Sequence, residues 1–380
     1  MKDEFGHEDS KWKALSYAKA GVDRSVREKS RVRISSDLKK RWRTYAHGKP
    51  LELPFGPVFP ISPRRESFLD LEIEGIGTKT LLAEMDPEGY SSIGMDGVAM
   101  VVNDVIRSGA APLLLADAVH VARSGSMVES LVRGVRKGAR IAGCVLASGE
   151  TGDVAEILHT RLAGSCAEPF DLLVSCLGIV SDDDVVRGSI KEGDPIIGIE
   201  SSGIHSNGIS LARRILLRPW GGKYELLDIP GGCSRPVIKE LLEPTRIYVR
   251  EVLESVKNFG LKAAVHITGD GFAKFHRLLD FQKRSDGHFG MEFDEIGPSG
   301  AIFELIERTS KEMGKRISKE EMYRTFNMGY GFAVVSEVES ADSLVDLFNK
   351  YHPARRIGRL TKSGKIVIRD PFGREKPVIL

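Results

Sequence analysis

A helix that is apolar on nearly every side must be buried, and any charge it carries must find its partner inside the protein. The segment Ser92-Ile93-Gly94-Met95-Asp96-Gly97-Val98-Ala99-Met100-Val101-Val102-Asn103-Asp104 has that pattern. At about 100° per residue Asp96 and Asn103 are nearly eclipsed, and Asp104 lies about 80° round from Asp96. Each has a bland explanation alone, Asp96 as a helix cap and Asn103-Asp104 as a polar face. The second fits poorly, because the pair interrupts an apolar run. The fold therefore has to enclose this helix and supply a cation or a hydrogen-bond network for its polar groups. A chain of 380 residues is longer than one ordinary domain, which favours two domains with real cores.

The surrounding periodicity is mixed. FLDLEIE alternates as a strand, LLLADAVHV, CVLAS and LLVSCLGIV read as further strands, and SMVESLVRGVRKGARIAG is helical. After the charged passage SDDDVVRGSIKEGD, IIGIES opens a second half with helices in NGISLARRILL, TRIYVREVLESVKNFG and SGAIFELIERTS, and strands in GFAVVSE and RIGRL. Interleaved helices and strands predict an α/β or α+β fold. The expected organisation is a basic, proline-rich segment over 1–60 packed on the body, a first domain over 61–183 and a second over 184–380.

Directly behind FLDLEIE comes Glu74-Gly75-Ile76-Gly77-Thr78-Lys79, which matches neither common glycine-rich phosphate motif. Its glycines, hydroxyl and ammonium still suit phosphate. Glu74, Asp117 and Glu150-Thr151-Gly152-Asp153 read as acidic points at strand ends or turns, and oxygen ligands without a His or Cys cluster suit Mg²⁺ completed by nucleotide phosphates. In the second half Ser201-Ser202-Gly203-Ile204-His205-Ser206-Asn207-Gly208 precedes a helix, and His266-Ile267-Thr268-Gly269-Asp270-Gly271-Phe272 is a second strand-to-helix turn. Both suit a small anionic ligand, with a capped turn and a structural histidine as the plain alternatives.

A net charge of +2 gives no reason to expect nucleic acid or an anionic membrane, so a small-molecule substrate is expected. Cys144, Cys166, Cys176 and Cys233 show no C-x-x-C spacing and read as small hydrophobes. The absence of a long apolar run and the charged start lead to the expectation of a cytoplasmic protein.

YAKAGVD, GIGTK, IGMDGVAMVVNDVIRSGA, SGET, SSGIHSNGISLARRIL, EPTRIYV, HITGDGF and MYRTFNMGYG stand in the order found in the phosphoribosylformylglycinamidine cyclo-ligase family, also called phosphoribosylaminoimidazole synthetase. The chain resembles that family from Tyr17 to Ile368. The resemblance implies two α/β domains, with N-terminal strands forming a barrel shared across a homodimer and a mixed C-terminal domain. It also implies ATP- and Mg²⁺-dependent closure of the imidazole ring of aminoimidazole ribonucleotide, through phosphorylation of an amide oxygen. It places Lys79, His205 and Asp104 in catalysis, and Gly75, Gly77, Thr78, Lys79, Asn103, Gly149 and Thr151 on the nucleotide. Glu74, Asp96, Asp104 and Glu150 fall at the metal, and Ser206, Asn207, Thr268 and Gly269 at the substrate. Lys79→Ala is accordingly expected to weaken ATP use far more than folding.

The sequence departs from the family pattern where Glu74 replaces an aspartate, where Asp270 replaces a glycine, and in a longer segment after Glu150. These leave room for a paralogue with another substrate, or a silent nucleotide-binding relative. A selenophosphate synthetase would carry a reactive cysteine near the glycine loop, whereas the first cysteine is Cys144, and a hydrogenase-maturation relative would end in cysteine rather than Leu380.

Overall fold

The computed structural model describes residues 16, 18–20, 34, 38–40, 42–158, 169–283, 288–297, 299–370 and 376–380. Cys166, most of the basic N-terminal segment and the centre of the long segment after Glu150 lie outside these residues.

The fold is mixed α/β, built on two sheets. The first contains β1 (Leu51–Leu53), β2 (Gly56–Pro60), β3 (Ser67–Gly75), β4 (Ala111–Val121), β5 (Val145–Asp153) and β6 (Phe170–Ser181), in the order β1-β2-β3-β6-β4-β5. All its pairings are antiparallel except β4 with β5. Within one chain this sheet is open, with β1 and β5 as its edges, so the expected barrel is not closed by one copy. The second contains β7 (Pro195–Glu200), β8 (Ala263–His266), β9 (Gly290–Phe293), β10 (Tyr330–Val335), β11 (Ala354–Thr361), β12 (Ile366–Ile368) and β13 (Val378–Ile379), in the order β13-β12-β9-β11-β7-β10-β8.

The apolar helix is α1 (Tyr90–Val105), and it is buried along nearly its whole length. It lies on β3 and β6 and packs against the amphipathic α2 (Ser126–Ala142). The two helices meet through glycine: a Cβ on Gly94 would run into the Leu131 carbonyl oxygen, and one on Gly134 into that of Ser91. Gly94→Ala should therefore cost about 1–3 kcal/mol by overpacking. The check is the urea midpoint; an unchanged midpoint would mean the helices are free to separate.

One face of this sheet carries the helices and the other is apolar yet open. Leu71 of β3 pairs with Leu177 of β6, which pairs with Leu114 of β4, which pairs with Val145 of β5. Leu71 is 68% exposed, Leu114 44% and Val145 62%, and Ile73 beside them 64%. Strand alternation then sends Asp70, Glu72 and Glu74 to the opposite, inner side. Along this later part of β3 apolar side chains face out and acids face in, the reverse of the usual arrangement, while Phe68 on the same strand keeps to the buried inner side.

Two local expectations are corrected. Glu74 does sit at the end of β3, but Glu150 lies within β5 rather than at a strand end or turn, because β5 continues its parallel ladder with β4 through Glu150 and on to Asp153. The helix expected from Thr245 begins only at Val249, forming α4 (Val249–Phe259), after α3 (Ile209–Leu216). The backbone of Thr245, Arg246 and Tyr248 is instead claimed by side chains of α1.

Candidate functional site in the seam between the halves

The glycine-lysine segment forms the end of a strand and a tight turn. β3 stops at Gly75, Gly77 takes φ +64°, and a 3-10 turn over Gly77–Lys79 leads into the short helix Thr80–Met85. No atom lies within 4 Å of where a Gly77 Cβ would sit, so that side of the turn is open. The Thr78 hydroxyl is 2.8 Å from that of Ser210 on α3. Lys79 turns inward and is 0% exposed. Its ammonium lies 2.8 Å from Asp96 Oδ2 and donates to the Glu243 carbonyl at 2.8 Å.

Two polar residues of α1, Asp96 and Asn103, find partners in one segment of the second half. Asp96 Oδ1 accepts from the Thr245 amide at 2.7 Å and its hydroxyl at 2.6 Å. Asn103 donates to the Arg246 carbonyl at 2.8 Å and accepts from the Tyr248 amide at 3.0 Å. Full pairing of this kind is what makes burial of such groups tolerable.

One residue further, Asp104 meets His266 Nδ1 at 2.7 Å and Arg107 Nη2 at 3.0 Å. Arg107 also reaches Glu72 at 2.8 Å, and its Nε donates to the Asp104 carbonyl. Burial opposes ionisation of Asp104, but Arg107, Lys274 and His266 overcome it and hold its carboxyl well below the usual carboxylate range. Burial pushes Glu74 up to about 7, and the Asp104 charge adds to that. Burial also raises Asp70 to about 7, with Glu72 reinforcing it. Lys274 is pulled down to about 8 by burial, against the attraction of Asp104. Its ammonium donates to Thr268 Oγ1 at 2.6 Å. A cavity of about 20 Å³, room for roughly one water, lies against Asp70, Glu72, Asp104 and Arg107.

The second-half loop closes the seam. His205 is buried at φ +59°, and its Nε2 accepts from the Ser202 amide at 3.2 Å. Burial, reinforced by His266 and Lys79, lowers its pKa well below the ordinary histidine value, so it serves as a neutral acceptor. Ser206 Oγ lies 3.1 Å from Thr245 Oγ1, and a Cβ on Gly269 would stand 3.2 Å from Asn207 Oδ1, so the two glycine-rich turns touch. Asp270 faces Arg277 at 3.9 Å.

The seam thus gathers Thr78, Lys79, Asp96, Asn103, Asp104, His205, Ser206, Asn207, Thr268 and Gly269. It does not gather Gly149, Glu150 and Thr151, which stay on β5 with β6 and β4 between them and β3, roughly 14 Å of strand spacing. The four expected metal ligands therefore do not meet. Asp96 is taken by Lys79 and Thr245, Asp104 by His266 and Arg107, and Glu150 is exposed. Among the described residues no group of three or more His, Cys, Asp or Glu is placed to hold a metal. The residues present do not fit a magnesium ion held by the protein alone.

Arg107, Lys274 and Thr245 were not singled out from sequence. Lys274 belongs to no spacing pattern, whereas Asp70-x-Glu72-x-Glu74 is a visible period-two acidic face that calls for a cation.

Residues 61–180 match the family described as AIR synthase related protein, N-terminal domain, and residues 191–371 its C-terminal domain. The phosphoribosylformylglycinamidine cyclo-ligase of Pyrococcus furiosus is 33% identical over 360 residues, 94% of this chain and 98% of that one. The enzyme of the same name from Bacillus cytotoxicus is 34% identical over 371 residues, 95% of this chain and 100% of that one. Among solved structures, the hydrogenase maturation protein HypE in complex with ATP is 17% identical with a TM-score of 0.55, covering 82% of this chain and 84% of its own. T. maritima PurL complexed with FGAR is 16% identical with a TM-score of 0.55, covering 84% of this chain and 46% of its own. These structural likenesses speak to the fold.

Proposed function

The chain belongs to the phosphoribosylformylglycinamidine cyclo-ligase family of AIR synthase related proteins, and from that premise we propose that it closes the imidazole ring of aminoimidazole ribonucleotide at the expense of ATP. The observation that carries the reading is the likeness to curated cyclo-ligases over 94% of the chain, spanning both sides of the seam. An amide oxygen is a poor leaving group. Transfer of the ATP γ-phosphoryl group to it gives an iminophosphate and ADP. The amidine nitrogen attacks the activated carbon, phosphate departs with the former amide oxygen, and loss of a proton leaves the aromatic ring. The protein's task is positioning and charge neutralisation rather than covalent catalysis.

In this reading the open side of the Gly75–Lys79 turn takes nucleotide phosphates, with Thr78 and Asn103 beside it. Lys79 supplies positive potential from beneath the turn. Ser206, Asn207, Thr268 and Gly269, from the two touching turns, face the ribonucleotide. Asp104 stays ionised and fixes His266 and Arg107, while His205 is a positioning residue that holds its loop. Magnesium comes as MgATP, its shell completed largely by phosphate oxygens and water.

We extend the proposal to a homodimer in which a second copy covers the Leu71–Leu177–Leu114–Val145 face, closing a barrel across the two chains. A contiguous apolar sheet face of this kind is what a partner surface provides. Among the described residues no helix is long and apolar enough to cross a membrane, and we place the enzyme in the cytoplasm with the nucleotide pool.

The expected result with formylglycinamidine ribonucleotide, ATP and Mg²⁺ is the aminoimidazole product with one ADP and one phosphate per turnover. Nucleotide binding with no product from folded protein would instead leave a silent binder. ADP release with a different amide substrate alone would leave a paralogue, a reading that Glu74 in place of the family aspartate favours.

A further inference from the structure

Asp70, Glu72 and Glu74 on the inner side of β3 face Asp104 of α1, with Asp70 and Asp104 buried and the two glutamates half-buried, so four carboxylates share one region of the seam. Like charges in a low-dielectric setting repel strongly and are retained only with compensating cations. In many nucleotide enzymes a divalent ion supplies that compensation. Here two side chains already do so.

Arg107 comes from the 3-10 turn Ile106–Ser108 that follows α1. Its guanidinium stacks over the Phe55 ring at 5.1 Å and bridges Glu72 at 2.8 Å and Asp104 at 3.0 Å, while its Nε donates to the Asp104 carbonyl. Lys274 arrives from the second half, buried, and its charge acts on Glu72, Glu74 and Asp104. It is pinned by its bond to Thr268 Oγ1. The other Asp104 oxygen is taken by His266. A guanidinium cannot be deprotonated in a protein, so an ion entering here would have to displace a permanent charge from both its carboxylates.

We infer that Arg107 and Lys274 are built-in counter-ions occupying the place of a protein-held divalent cation, so that the nucleotide-free chain has no magnesium site of its own. The inference rests on the cyclo-ligase reading only for the entry of magnesium with ATP; the electrostatic arrangement stands without it. One consequence is that metal specificity follows how well each M²⁺–ATP complex is formed, not a ligand cage. Another is that removing a counter-ion should create the missing site.

The test is Mn²⁺ binding to chelator-treated, nucleotide-free protein, followed by electron paramagnetic resonance and calorimetry, with thermal melts in Mg²⁺ alongside. The parent is expected to show no stoichiometric Mn²⁺ site at millimolar metal and no Mg²⁺-dependent rise in Tm. Arg107→Met should gain one equivalent of bound Mn²⁺, with affinity raised at least about tenfold by the loss of one opposing charge. Arg107→Lys, which keeps the charge, should not. If Arg107→Met does not fold, Lys274→Met removes the second cation from the other half of the chain and should show the same gain. Stoichiometric Mn²⁺ binding by the parent, or no gain in a folded variant, overturns the inference. Neither result depends on turnover, so a failed cyclo-ligase assay leaves this test intact.

Discussion

Lys79→Ala should lower folding stability by about 3–5 kcal/mol, because it strands the buried Asp96 carboxylate without its cation. From sequence alone this lysine read as a group facing phosphate, whose loss would weaken ATP use far more than folding. The structure gives it a second duty. Its ammonium pairs with Asp96 of the first half and bonds the Glu243 carbonyl of the second, 164 positions from Lys79 along the chain. Removing it unpairs one end of the seam at the segment that Asp96 and Asn103 also hold. The measurement is urea denaturation of parent, Lys79→Ala, Asp96→Asn and the double variant. In the double variant the carboxylate charge is gone, so it should recover at least about 1 kcal/mol relative to additivity. A single-variant cost under about 1 kcal/mol, or strict additivity, would show that the pair does not lock the halves. Turnover should fall in Lys79→Ala even where the protein remains folded, because positive potential under the phosphate turn is lost.

Leu71→Asp combined with Leu177→Asp should convert the proposed dimer to a monomer. The two leucines are cross-strand partners on the open sheet face, and Leu71 is 68% exposed in the single chain. A carboxylate at the exposed Leu71 costs the isolated chain little and one at the half-buried Leu177 somewhat more, but both would have to be desolvated against a second copy. Each substitution occurs twice in a symmetric dimer, so association should weaken by about 3 kcal/mol or more, a hundredfold or greater. Sedimentation velocity across a concentration series reads this directly, with circular dichroism to verify the fold. A parent that sediments as a monomer throughout would remove the dimer, and a variant that still dimerises would move the interface elsewhere.

The secondary structure was largely legible because its signals are local. The alternation of FLDLEIE and the unbroken apolarity of VAMVV are enough to specify β3 and α1. The exception is instructive: Thr245-Arg246-Ile247-Tyr248 has a helix-compatible pattern, yet its amides and carbonyls bond to Asp96 and Asn103, and α4 starts after them. Tertiary contacts override propensity where they satisfy the same backbone groups better.

The site was legible in outline. Lys79, Asp96, Asn103 and Asp104 stand out as polar groups in apolar surroundings, and the need for buried partners follows from desolvation. The partners did not follow, because a one-dimensional pattern carries no information about which distant strand or turn will face a helix. Asp96 meets Thr245 across 149 positions and Asp104 meets His266 across 162. Glu150 seemed equivalent to Glu74 in the sequence, but strand order places β6 and β4 between them.

What the amino-acid sequence by itself determined is the set of elements, the family, and the demand that the charges of α1 be answered. Tertiary structure alone decided what answers them from a distance: Lys79 for Asp96, backbone for Asn103, and His266 and Lys274 for Asp104, beside the local Arg107 three positions on. The physical reason is that periodicity sets which residues share a face, whereas long-range packing sets which way the face turns. On β3 it turned the leucines outward and the acids in, toward cations carried by residues far along the chain.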